Sequence, residues 1–212
     1  MTFISGTTAA ITPTHWWFCL YDVNGVLIRM STDQLATPWA ASTPKTLALD
    51  SIPITAGARA GSSTVTLTIP TLHEALTSLV AIGDSITVSN ASIYAYNGTF
   101  TVTNVTSTQI QYTAGSSATD SLSSPFASVQ LAAGKRVFTS AASLGFLFGG
   151  LMMTAATVIS LPTFTAALTG GISIGSLGLI QSNSGNTGLT GTPTTPFASS
   201  AGASQVSWCG IS

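Results

Sequence analysis

Four segments in the middle of the chain alternate between apolar and mostly hydroxyl- or amide-bearing residues: STVTLTIP (63–70), DSITVSN (84–90), GTFTVTNV (98–105) and TQIQYTAG (108–115). A period of two puts one set of side chains on each face of an extended chain, so each segment predicts a half-buried strand. Asn97-Gly98 places a turn residue pair at the start of the third. Between the first two lies TLHEALTSLVAIG (71–83), which reads as one short helix or a loop. The flanking runs AGARAGSS (56–63) and AGSSATDSLSSP (114–125) have the small-residue composition of linkers. Residues 59–124 are therefore read as a small inserted β-module.

On either side the pattern changes. THWWFCLYD (14–22) sets Trp17, Cys19 and Tyr21 against Trp16, Phe18 and Leu20, so that both faces of the predicted strand are apolar. Asp22-Val23-Asn24-Gly25 supplies a turn and VLIRMS returns as the second arm of a hairpin. Farther on, KTLALDSI predicts a strand that ends near Ile54. After residue 125, VQLAA, KRVFTS, SLGFLFGGLMMT and TVISLPTF read as further strands, and the stretch 172–197 as a long loop or arm. The expectation is an all-β chain in which residues 1–58 and 125–212 form a discontinuous β-sandwich host domain, jelly-roll-like, carrying the module 59–124.

Charge sharpens this picture. Five Lys and Arg against six Asp and Glu make 5% of the chain and a net charge of −1, while 45% is apolar. Ordinary soluble domains carry roughly 25% charged residues. Ser and Thr stand in for them, which suits β-surfaces better than exposed helices. There is no basic stripe to neutralise phosphates, so nucleic acid is not expected as a partner. A surface with so little charge repulsion fits a subunit held in an assembly better than a free monomer. The uncharged run Val137–Leu161 is long enough to span a bilayer, yet it contains Gly145, Gly149 and Gly150 and several hydroxyls, and it is read as buried strands. The N-terminus lacks a cationic region followed by an apolar core, so no secretory signal is expected. Cys19 and Cys209 are read as buried free thiols; a bond between them would need the first and last strands to be neighbours.

Candidate chemistry is sparse. The run LVAIGDSIT (79–87) looks like the nucleophile strand of the GDSL hydrolases, with Ser85 as the serine. Those enzymes need a histidine base after the serine, and His15 and His73 both precede it. Ser85 is expected instead to face solvent on a strand that begins after a Gly83-Asp84 turn, with Ile86 and Val88 inward. The acidic residues suggest no carboxylate pair, the two His and two Cys have no metal-ligand spacing, and no phosphate loop is present. No catalytic, metal or cofactor site is assigned. Asn90, Asn97 and Asn104 begin Asn-x-Ser/Thr triplets of the kind chance supplies in a chain this rich in hydroxyls. Trp16, Trp17 and Trp39 are the candidate interface or recognition residues, against core packing as the plainer alternative.

The segment PTHWWFCLYDVNGVLIRMSTDQLATPWAASTPKTLAL (13–49), with SLGFLFGGLMMTAATVISLPTF (143–164) and TGLTGTPTTPF (187–197), resembles the small minor tail, or tail-fibre-like, proteins of actinobacteriophages. In that family a THWWFALYD strand leads to a KTLAL stretch and then, after a short connection of about a dozen residues, to a Gly-aromatic strand. Here some eighty residues intervene, and IGDSITVSN, YAYNGTFTVTNV and IQYTAG within them are similar to small β-modules of phage structural proteins. The resemblance implies a virion protein assembled in the host cytoplasm. It also implies a homo-oligomer, a trimer being favoured, with other virion proteins as partners, and host-envelope glycan as a candidate ligand. A capsid decoration or head-fibre protein is the alternative, and an envelope esterase acting through Ser85 a more distant one.

Overall fold

The computed structural model describes residues 1–22, 26–122, 126–135 and 148–155 and the short strand pieces 163–164, 206–207 and 209–210. The chain is all-β, as its composition and periodicity predict. In order, the strands are β1 (Thr2–Ile4), β2 (His15–Tyr21), β3 (Leu27–Met30), β4 (Pro44–Thr46), β5 (Ser51–Pro53), β6 (Ala56–Thr68), β7 (Ser85–Ser89), β8 (Gly98–Val105), β9 (Gln109–Leu122), β10 (Ser128–Gln130), β11 (Phe148–Thr154), β12 (Thr163–Phe164), β13 (Val206–Ser207) and β14 (Cys209–Gly210). A single helical turn, α1 (Leu76–Leu79), lies between β6 and β7. That segment thus combines a short helix with loop on either side.

Nine strands form one sheet in the order β11-β2-β3-β5-β10-β7-β8-β9-β6. The sheet curls: the Thr55 N–H donates to the Thr68 carbonyl at 2.9 Å, so the chain entering β6 lies against the end of the same strand. Register shifts between Ala60 and Thr64 let β6 make that bend. Gly61, at φ +69°, occupies a conformation that favours glycine. Two smaller sheets, β14-β1-β4 and β12-β13, complete the described strands.

The main core lies inside the curl and draws on both parts of the chain. Trp17, Cys19, Tyr21 and Leu27 pack there with Val65, Leu67, Ile86, Val88, Ile110 and Val129. The ends of the segment 59–124 are antiparallel neighbours, with Arg59 opposite Asp120, and the segment joins the remaining strands where β7 pairs with β10. The other face of β2 supports a second core of Met1, Phe3, Trp16, Phe18 and Trp39. A strand apolar on both faces therefore separates two cores, as the alternation of 16–21 predicts, with Leu20 packed on Ile28.

Two readings are corrected. The runs 56–63 and 114–125 are not linkers: Gly57 to Ser62 and Ala118 to Leu122 pair as strand. Gly57 is closely packed there, since a Cβ would meet Tyr96 Cε2 at 3.0 Å and Leu122 Cβ at 3.1 Å and those side chains would have to give way, so what reads as flexibility is close packing. KTLALDSI is not one strand either. Lys45 pairs with Phe3 in the small sheet and Ile52 with Val129 in the large one, and residues 47–50 cross between them while Leu47 and Leu49 pack on the second core. Of the later predicted strands, SLGFLFGGLMMT holds β11 and the end of TVISLPTF holds β12. Residues 136–147, 156–162 and the 172–197 stretch lie outside the described residues. Among the described residues no helix is long and apolar enough to cross a membrane.

Candidate functional surface

Ser85 is the first residue of β7 and is exposed, while Ile86 and Val88 are buried. The turn before it is built by Gly83, at φ +91°, and by Asp84, whose Oδ2 accepts from the Ala81 N–H at 2.8 Å. The Gly-Asp-Ser letters therefore build a turn and a strand start. Both histidines hold buried aspartates. His15 Nδ1 lies 2.5 Å from Asp33 Oδ2, with its ring stacked on Phe126 at 3.6 Å; His73 Nδ1 lies 2.6 Å from Asp22 Oδ2. Among the described residues no group of three or more His, Cys, Asp or Glu is placed to hold a metal ion.

Trp16, Trp17 and Trp39 are all buried in this chain, which corrects their candidacy as recognition residues. Trp16 and Trp39 lie 4.9 Å apart in the second core, and their indole N–H groups donate to the Thr37 and Thr43 carbonyls, both at 2.9 Å. Trp17 lies in the main core, edge-on to Phe126. Two cores, one on each face of β2, account for the tandem pair without an external contact.

Cys19 is a buried free thiol. Of the terminal strands, β1 does neighbour β14, with Phe3 opposite Cys209, but Cys19 sits on β2 in the other sheet. Burial pushes its pKa from 9.0 up to about 12. Because the folded chain holds this proton more tightly than the unfolded one, stability is fully present below pH 9 and falls as pH rises from 9 towards 12, by at most about 1.4 kcal/mol per pH unit for this group. We expect denaturant midpoints to decline across that window, and a thiol reagent at pH 8 to modify Cys19 only after unfolding.

The charged side chains follow one rule: all six acidic residues accept hydrogen bonds from within the chain. Asp33 takes the Trp16 and Leu35 N–H groups and the Asn90 amide besides His15. Asp22 takes the Val26 N–H besides His73. Asp50 is held by Gln130 and Asp84 by Ala81. Glu74 pairs with the buried Arg29. Asp120 takes two bonds from Arg59, at 3.1 and 2.5 Å, and one from the Tyr96 hydroxyl at 2.6 Å. The Arg59 bonds, then the Tyr96 bond, hold the Asp120 carboxyl below its usual range, while burial, then Asp120, pushes Tyr96 up to about 12. The Arg59 guanidinium also lies over the Tyr96 ring at 5.3 Å. These pairs join residues as far apart as Gln130 and Asp50, which no local pattern could have linked.

With the acids turned inward, the outward face of β7, β8, β9 and the second half of β6 carries hydroxyls and amides. Thr87 Oγ1 lies 3.0 Å from Thr99 Oγ1. Asn104 donates to Gln111, and Gln111 to Thr66 Oγ1 at 3.1 Å. No charged residue belongs to this face. Comparison of the chain with protein-family models, with curated proteins and with solved structures finds no match.

Proposed function

We propose that this chain is a structural subunit of a bacteriophage virion, a minor tail or tail-tip component that assembles with copies of itself and with other virion proteins and takes part in attachment to the host surface. The observation that carries the reading is the disposition of charge: the acidic side chains are spent on internal hydrogen bonds, leaving a β-wall whose outside is hydroxyl and amide. A free monomer relies on net charge to stay dispersed, whereas a subunit fixed in a large particle does not, even where such a wall stays open to water. The likeness of 13–49 and 143–164 to minor tail proteins supports the same reading. The role proposed is mechanical and recognitional rather than catalytic, and the turn-and-strand geometry of Ser85 supports that.

Gold-labelled antibody against the chain, applied to intact particles, tests this. Label at the tail tip is the expected result. Label on the head would assign the chain to capsid decoration, and particles without the chain would remove the virion reading altogether. Stoichiometric fluorophosphonate labelling at Ser85 would restore the esterase alternative.

A further inference from the structure

The most exposed large apolar side chain among those described is Tyr94, 91% accessible. It stands in the 3-10 turn Tyr94–Tyr96 that links β7 to β8. This link is fixed at several points. Tyr96 is buried and its hydroxyl is bonded to Asp120. The Asn97 side chain accepts from the Ala91 N–H and donates to the Ala91 carbonyl, both at 2.8 Å. The Asn97 N–H donates back to the Tyr94 carbonyl. With the backbone of the turn clamped, binding has only the two side-chain torsions of Tyr94 left to order, which is a low entropic cost for a recognition anchor. At the other end of β7, Ile82 is 66% accessible. Between them run the paired rows Ser85 opposite Thr101 and Thr87 opposite Thr99.

We infer that the hydroxyl rows of β7 and β8, together with Tyr94 on the turn that joins the two strands, bind a neutral polysaccharide. Each hydroxyl on the face both donates and accepts, and none is ionised, which matches a ligand made of uncharged hydroxyls and gives an acidic polymer nothing to pair with. An aromatic ring with a polar tip suits the alternately apolar and hydroxylated surface of a pyranose. A protein partner fits less well, because protein interfaces are poor in Ser and draw on several aromatic or Arg anchors. The five residues of β7, at about 3.4 Å each, span roughly 17 Å, the reach of several sugar rings. This inference deepens the attachment part of the function proposed above and rests on it for its biological setting only.

The test is affinity electrophoresis of the full chain through gels containing dextran, mannan or galactan, with hyaluronate as the charged control. Retardation by at least one neutral polymer and none by hyaluronate is expected. Tyr94→Ala should weaken the retardation about tenfold with an unchanged melting temperature, since the ring packs on little. Thr87→Val with Thr99→Val should weaken it in the same direction. Passage through every neutral gel without retardation overturns the inference, as does Tyr94→Ala binding like the unaltered chain. A concentration-dependent rise in mass that Tyr94→Ala abolishes, without retardation, would assign the face to a second copy and also overturn it. Gold labelling of particles is independent: a chain at the tail tip that no polymer retards leaves the virion role standing without this site, and a retarded chain missing from particles does the reverse.

Discussion

Trp39→Ala is expected to lower the unfolding free energy by about 3–5 kcal/mol, the range for removing a buried aromatic side chain whose cavity cannot fully collapse. Collapse is hindered because the neighbours are themselves rigid rings: Trp16 at 4.9 Å and Phe18 at 5.7 Å. The substitution also removes the indole N–H from the Thr43 carbonyl, which keeps the Ser5 N–H as a donor at 3.1 Å, so the cost is that of the lost ring rather than of a stranded carbonyl. Because Trp39 sits on the segment between β3 and β4 and its ring packs that segment onto the second core, its loss should also loosen residues 32–43, although the Ala10 N–H can still donate to the carbonyl of residue 39. Urea denaturation followed by Trp fluorescence and by far-ultraviolet dichroism checks this. Trp39→Phe, which keeps a ring and loses the N–H, should recover more than half of the effect. A Trp39→Ala chain as stable as the original would mean that the second core contributes little and that the indole is free for an outside contact.

How far the sequence could be read follows from the kind of information each element carries. β7 and β8 were legible because their signals are local: Gly83 and Asp84 stop the chain, and Ile86, Val88 and Val102 alternate with hydroxyl residues through the strands. β2 was legible for the same reason, with large apolar residues at successive positions demanding two buried faces. The strand over 56–61 was not. Ala, Gly and Ser have weak strand preference, and that stretch is extended because β9 pairs with it and Arg59 finds Asp120 across the pair. The break in KTLALDSI was hidden because alternation says which face a residue takes and not which sheet. The tryptophans were ambiguous because a strand pattern cannot tell a second core from a surface. The exposed Tyr94 was missed altogether: the turn NASIYAYNG carries two tyrosines two positions apart, and only the burial of Tyr96 in the folded chain separates platform from anchor.

The second large effect is expected where segment 59–124 is tied to the β2–β3 hairpin. The Arg29 side chain is only 2% exposed. Its guanidinium donates to the Ile28 carbonyl and to Glu74, and its Nε has no hydrogen-bond partner among the described residues. Glu74→Gln therefore leaves a buried cation with no counter-charge, and we expect a loss of about 3 kcal/mol, since breaking a buried pair from one side strands the other charge. The neighbouring tie, His73 to Asp22, together with the His73 N–H donated to the Leu27 carbonyl, should keep the loop attached and the transition cooperative. Adding Arg29→Met to Glu74→Gln should recover most of the loss, because a methionine of similar length fills the space without needing a partner. The double-mutant cycle isolates the pair itself. If Glu74→Gln alone proves neutral, Arg29 has reached water or another acceptor, and the ion pair is not what fastens residues 73–74 to the hairpin.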